Sequence, residues 1–338
     1  MQARDVITLK AGSYRLDEVL ARSAYGVVWR AHTGNGEEVA VKFINCALME
    51  QAPAPLRERW VDSAAREIAF LRSLQPWDER HIVRLLDSGN HAGLPVMALE
   101  LMATDLARQP AANASAADLG RILLWMGSVN QALAKVHQYG WLYLDLKPAN
   151  VLLTTDQQAR LADFGTSRLR SAGAPLSYSG TASWQAPEQF FPAPDGSYAT
   201  VAGTDYFALG ALFYYLVTGG GQLRFCQDCG QAHRELQQGA SAAILARNAG
   251  RLPATLQGDE AARFAAAVDR MGGAGGSTAP AVSRPALRLL QALLNASPSA
   301  RPRHALDISR MLADIRAAMC WTPPLPPAGH RAAAWSLA

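Results

Sequence analysis

Four side chains that could act together lie in one short stretch: Asp145, Lys147, Asn150 and Asp163. Two carboxylates and a carboxamide oxygen suit a hard cation such as magnesium, which prefers oxygen ligands. The lysine ammonium is a compact point charge suited to a phosphate. For these groups to converge, the chain between them has to fold back. Val151-Leu152-Leu153 and Arg160-Leu161-Ala162 read as two short strands joined by a polar turn at 154–158. A hairpin of this kind holds Asp145, Asn150 and Asp163 at one rim.

Upstream, the pattern is mostly strand. Residues 14–31 read as two strands about a turn, with Leu16, Val19 and Leu20 before it and Val27, Val28 and Trp29 after it. Residues 38–43 place Lys42 in an apolar strand, where an unpaired ammonium carries a desolvation cost. Ile68, Leu71 and Leu74 repeat at helical spacing, which marks a helix over 57–74 containing Glu67. Between that strand and helix, 46–55 reads as irregular because Pro53 and Pro55 break helices. Strands at 81–87 and 94–102 follow, and the strand-rich region ends near Ala103.

In this order the residues resemble the eukaryotic-type protein kinases, and Asp145-Leu146-Lys147-Pro148-Ala149-Asn150 is similar to their Ser/Thr branch. The resemblance covers roughly 14–315 and implies an α+β, bilobal protein kinase fold. Its divisions are an N-terminal extension (1–13), a small mostly β lobe with one key helix (14–103), a larger mostly α lobe (104–319) and a Pro-rich tail (320–338). The implied activity is transfer of the ATP γ-phosphoryl group to Ser/Thr hydroxyls of protein substrates, with magnesium as cofactor.

Residue by residue, Asp145 matches the carboxylate that accepts the hydroxyl proton. Lys147 matches the charge that neutralises the transferred group, and Thr181 the threonine that bonds both. Asn150 and Asp163 match the magnesium ligands. Lys42 matches the ATP-anchoring lysine and Glu67 its ion-pair partner; the alternative is two ordinary surface charges. The resemblance also puts Leu20, Ser23, Gly26, Val28, Ala40 and Leu152 around the nucleotide, Leu99 at the gatekeeper position, and the backbone of Glu100 to Met102 against adenine. Asp205 matches a helix aspartate bracing the catalytic loop, and Glu188 pairs with Arg301.

Two departures from the family bear on function. Gly26 alone remains of the three glycines in the nucleotide loop, with Ala21 and Ser23 in the other places. Tyr143-Leu144-Asp145 stands where His-Arg-Asp is common, and Leu144 cannot receive an activation-loop phosphate. The reading is a kinase not dependent on that switch, either constitutive or controlled by a regulatory protein partner. Alanine at Ser177, Ser179 and Thr181 tests it. The alternative is a pseudokinase acting as a nucleotide-binding scaffold or regulator. A small-molecule kinase is a third reading, against which the docking loop ending in Ala186-Pro187-Glu188 speaks.

The remaining features constrain less. Helix-spaced Leu119, Ile122, Leu123, Met126, Val129, Leu133 and Val136 give a long core helix over 115–139, with His137 read as packed or exposed rather than catalytic. Residues 171–179 are small and polar, as in a mobile loop. Cys226, Cys229 and His233 are three possible zinc ligands where a structural site takes four, with Cys46 or Cys320 as candidate fourths. Reduced thiols are the leading reading, with zinc and a reversible disulfide as the alternatives. The sequence over 239–258 and 259–271 looks helical, 272–276 is a glycine-rich break, and Ser283 is a candidate helix cap. The prolines of the tail favour an extended conformation that could bind a partner, a loose terminus being the alternative.

Across 338 residues, 49% are hydrophobic and 18% charged, which fits a folded protein. A net charge of +4 is too small an excess to argue for nucleic acid. No signal peptide is expected, and the longest apolar run, 206–217, is short of the roughly 20 residues that span a bilayer. Four cysteines without a dense framework fit a reducing compartment, so a cytoplasmic location is the expectation.

Overall fold

The computed structural model describes residues 1–23, 26–108, 119–173, 180–272 and 282–319. Period-two burial builds the small lobe. In strand β2 (Ser13–Arg22) Tyr14 and Leu16 point inward, and in β3 (Gly26–Thr33) Val27, Trp29 and Ala31 do. In β4 (Glu38–Ile44) Val39, Val41 and Phe43 face that same core. Ala40 and Lys42, one residue out of phase, therefore face the other way. With β1 (Val6–Thr8), β5 (Leu85–His91) and β6 (Leu94–Glu100), these form an antiparallel sheet in the order β1-β2-β3-β4-β6-β5. The tight β1–β2 hairpin meets β5, where the Ala11 amide and the Tyr14 hydroxyl bond the Asp87 carboxylate at 2.8 and 3.0 Å.

Two local readings shift. Residues 46–51 form a short helix, α1 (Cys46–Gln51), because the Asn45 side chain accepts from the Leu48 amide at 3.4 Å; Pro53 then precedes α2 (Ala54–Ser73). The strand expected at 81–87 begins instead at Leu85. His81 and Val83 turn to Leu161, with the Leu161 amide bonding the His81 carbonyl (2.8 Å) and the Val83 amide bonding the Leu161 carbonyl (3.0 Å). Those bonds tie the end of α2 to the large lobe.

The large lobe is mostly helical. Around α3 (Leu119–Gln138) and α5 (Ala202–Val217) pack α6 (Arg224–Leu236), α7 (Ala240–Arg247), α8 (Gly258–Met271), α9 (Ser283–Leu293) and α10 (Ala305–Ala318). Between α3 and α5 come the short strands β8 (Trp141–Leu142), β9 (Val151–Leu153), β10 (Ala159–Leu161) and β11 (Arg168–Leu169), and then α4 (Pro187–Phe190). The two-residue strand β7 (Thr104–Asp105) pairs with β9. Ser283 opens α9 but makes no side-chain cap; its amide donates to Asp269 at 3.0 Å. The helix expected over 239–258 stops at Arg247, where Ala249 and Gly250 take positive φ. Among the described residues no helix is long and apolar enough to cross a membrane. The start of the expected 115–139 helix, residues 174–179, the glycine break at 273–276 and the tail with Cys320 lie outside the described residues. One continuous core joins Ala40, Phe70 and Leu99 of the small lobe to α3, β9 and α5.

Candidate active site

The site is assembled where β9 and β10 fold back on each other. Their register pairs Val151 with Leu161, and the Ala162 amide bonds the Asn150 carbonyl at 2.9 Å. Asn150, ending a 3-10 turn (Pro148–Asn150), and Asp163 thus lie at the same rim. Asp163 adopts φ 59° and Leu144 φ 69°, a left-handed conformation that is costly for a residue other than glycine. Such strain persists only where surrounding bonds over-determine it.

The bracing at Leu144 is visible. Asp205, 1% exposed on α5, accepts the Leu144 amide at 2.7 Å and the Tyr143 amide at 3.0 Å. His137 of α3 meets the same carboxylate at 2.8 Å, a supporting role that helical spacing alone did not signal. The Tyr143 ring packs edge-on against Phe164 at 5.2 Å, and Phe70 of α2 lies 4.6 Å from the other side of Phe164.

From this loop Asp145 projects into a closed set of bonds. Lys147 Nζ reaches its carboxylate at 2.8 Å, and the Thr181 hydroxyl donates to it at 2.7 Å. Lys147 Nζ also bonds the Thr181 oxygen at 2.7 Å. Asn150 Nδ2 bonds the Asp145 carbonyl at 2.9 Å, which leaves the amide oxygen for a cation. Burial is the main influence on Asp145. It raises the carboxyl above its ordinary range, against the pull of Lys147 and Thr181, and the nearby Asp163 charge adds to the rise.

Across the cleft, Lys42 Nζ lies 2.8 Å from Glu67 Oε2 and 2.7 Å from Asp163 Oδ1. Glu67 is 2% exposed on α2, while the Asp163 carboxylate is 46% exposed. One ammonium serves two carboxylates here. Burial opposes the charge on Lys42, but the two carboxylates outweigh it and keep the ammonium protonated. Burial also works against ionisation of Asp163, yet Lys42 and Lys147 hold its carboxyl below the usual range. Glu67, deepest of the three, is pushed up by burial and by the Asp163 charge. Its Oε1 also accepts the Phe164 amide at 3.1 Å, and the Ser63 hydroxyl bonds the Gly165 carbonyl. The α2 helix is thereby fixed to the segment after β10.

An apolar slot adjoins these charges. Ala40 and Leu99 face each other in register, and half-buried Leu20, Val28, Met102 and Leu152 pack on the same cluster. The Glu100 carboxylate is turned away, bound by the Arg84 amide at 2.9 Å and by Arg160. Among the described residues Met102 makes no backbone hydrogen bond. At the mouth, the Gly26 amide donates to Ser23 Oγ at 3.0 Å. A Cβ on Gly26 would sit 3.2 Å from the Phe43 carbonyl, a tight contact. Residues 24 and 25 of this turn lie outside the described residues. An apolar slot for a base, an ammonium beside it and oxygen donors below fit a nucleotide and a hard cation.

The zinc reading is withdrawn. Cys226 and Cys229 lie on the buried face of α6, and among the described residues no three His, Cys, Asp or Glu side chains cluster as a metal site. Burial pushes the Cys226 thiol to about 12 and raises Cys229 as well, so both stay protonated and are poor ligands or nucleophiles. Cys46 heads α1, in the other lobe. The i, i+3 spacing of the pair is the inward stripe of a helix.

The chain belongs to the protein kinase domain family, whose model matches residues 14–311. It is similar to "Cyclin-dependent kinase D-1" of Arabidopsis thaliana, 31% identical over 212 residues, which cover 61% of this chain and 49% of that one. It is 29% identical to "Cyclin-dependent kinase 20" of Homo sapiens over 210 residues, 59% of this chain and 55% of the relative. A bacterial relative is the "DNA damage-responsive serine/threonine-protein kinase RqkA" of Deinococcus radiodurans, 32% identical over 223 residues, 63% of this chain and 30% of the relative. The chain thus matches about half the length of the first two.

Proposed function

We propose that the chain is a Ser/Thr protein kinase. It would transfer the ATP γ-phosphoryl group to protein hydroxyls, in a state that needs no activation-loop phosphate. The observation that carries this is the joint assembly of Lys42–Glu67, Lys42–Asp163 and Asp145–Lys147–Thr181 with Leu144 standing before Asp145. In this reading Lys42 holds the α- and β-phosphates. Asp145 takes the proton of the substrate hydroxyl as its oxygen bonds to the γ-phosphorus, and the bond from that phosphorus to the bridging oxygen breaks to leave ADP. Lys147 balances the charge on the group in transit. Asn150 and Asp163 would hold magnesium, which neutralises phosphate oxygens when bound. Two relatives are named as cyclin-dependent, and a regulatory protein partner is the corresponding proposal for this chain.

Thr181 cannot serve as a neutral test of the phosphorylation-independent reading, because its hydroxyl bonds Asp145 and Lys147 directly. The test is Ser177→Ala combined with Ser179→Ala, alongside phosphatase-treated wild type, with phosphoamino-acid analysis of the product. Transfer to Ser/Thr is expected to persist in both. Loss in both would show that a phosphate is needed after all. A pseudokinase is the second reading, favoured by Ala21 and Ser23 in the nucleotide loop. It predicts nucleotide binding without transfer.

A further inference from the structure

Gln189 lies in α4, 3% exposed, and uses both ends of its amide. Oε1 accepts the Ala186 amide at 3.2 Å, and Nε2 donates to the Leu144 carbonyl at 3.0 Å. That carbonyl belongs to the strained residue immediately before Asp145. Its other neighbour is Gly180, at φ 91°, where an added Cβ would lie 2.5 Å from the same oxygen. The Leu144 carbonyl is therefore turned into the 180–189 segment, and Gln189 supplies its side-chain donor. Since Asp205 holds the amide of the same residue, Leu144 is fixed at both ends. The 180–189 segment also supplies Thr181, the partner of Asp145. One side-chain amide thus ties the loop carrying the base to the segment carrying its hydroxyl partner. It does so through neutral groups.

We propose that Gln189 is a positioning residue for phosphoryl transfer, clamping the Leu144 carbonyl so that Asp145 and Thr181 stay in register without a phosphate. The proposal rests on the kinase reading above. A misplacement of about 1 Å at the reacting groups can cost roughly 100-fold in rate, so a lost clamp is visible in turnover. The hydrogen bonds of Gln189 go to Ala186 and Leu144, neither of which lines the nucleotide slot.

The experiment is steady-state kinetics of the full chain with MgATP and a mixed Ser- and Thr-containing peptide pool, normalised to nucleotide-binding sites. Gln189→Met keeps length and burial but donates nothing. Its kcat per binding site is expected to fall about 10- to 100-fold while the KM for ATP changes little. A purely structural role would lower the number of binding sites and leave turnover per site intact. Gln189→Glu supplies a second readout, because only its protonated form can donate to the Leu144 carbonyl. Its rate relative to wild type is expected to rise on acidification, whereas the ratio for Gln189→Met stays flat. Asp145, Lys147, Glu188, Asp205, His137 and Arg301, the charged or titratable groups near this contact, are common to all three proteins and drop out of the Gln189→Met ratio; the carboxylate introduced by Gln189→Glu raises Asp145, an effect that opposes the expected rise. Wild-type turnover per site in Gln189→Met overturns the proposal while leaving the kinase reading standing. An inert wild type overturns that reading, and this proposal with it.

Discussion

In the proposed reaction Asp145 accepts a proton, and its surroundings raise its affinity for one, chiefly through burial. The sign of the pH effect follows. The charged form is the base, so lowering the pH through a raised carboxyl pKa removes it. kcat/KM is expected to fall on the acid side, with its midpoint above the ordinary carboxylate range, as measured in a pH–rate profile of the wild type. Asp145→Asn is expected to lower kcat by about 100- to 10,000-fold, the range for losing a general base. The residues of this site were legible because their identities are fixed by chemistry: Lys42, Glu67, Asp145, Asn150 and Asp163 each stand in a recognisable local pattern. His137, Ser63 and Gln189 were not, since each acts through a contact with a segment far off in the chain. Nothing local marks a glutamine as the partner of a carbonyl that far before it.

The short connection from α2 to β5 is one of the elements that join the lobes, and it is held by charge. Asp78, 2% exposed, accepts from the Tyr139 hydroxyl at 2.8 Å and pairs with Lys135 Nζ at 2.9 Å, both on or next to α3. Asp78→Ala is expected to cost about 2 kcal/mol in chemical denaturation, the partial exposure of Lys135 keeping it below the full figure for a buried pair. His81 in the same connection is depressed to about 4, first by burial and then by Arg80, Arg160 and Lys135. Unfolded histidine takes up its proton near pH 6.5, so the folded state loses stability as pH falls from there toward 4. Stability is expected to drop by about 2 kcal/mol over that window, after discounting for solvent, and His81→Asn to flatten the dependence. At this scale the sequence misled in several places, the short helix at 46–51 and the early stop of α7 among them. The start of β5 was read too early because 81–83 is as apolar as a strand but bonds to Leu161. In α6 the leading reading of reduced thiols agrees with two free cysteines, and the zinc alternative arose because the helix's inward stripe happens to contain both.

Over the whole molecule, the pairing of Glu188 with Arg301 closes the large lobe. Arg301 is fully buried and bidentate, at 2.6 and 2.9 Å, and it also bonds the Asn295 and Gly203 carbonyls at 2.7 and 2.8 Å. Arg301→Met leaves the largely buried Glu188 carboxylate with the Thr204 hydroxyl but no charged partner and is expected to cost about 3 kcal/mol, read as a lowered denaturation midpoint. The bilobal architecture itself was legible, through the order of strand-rich and helix-rich regions and through matches spread along the chain. The bond-by-bond joining of the lobes was not, because it depends on where segments meet in space. The central claim is that this assembled cleft transfers phosphate and that Asp145 and Lys42 carry the reaction. Incorporation of labelled γ-phosphate from MgATP, into the chain itself and into a basic protein substrate, tests it most directly when wild type is run beside Asp145→Asn and Lys42→Met. The account predicts incorporation by the wild type that disappears in both variants. Incorporation surviving in Asp145→Asn, or an inert wild type that still binds nucleotide, would contradict it.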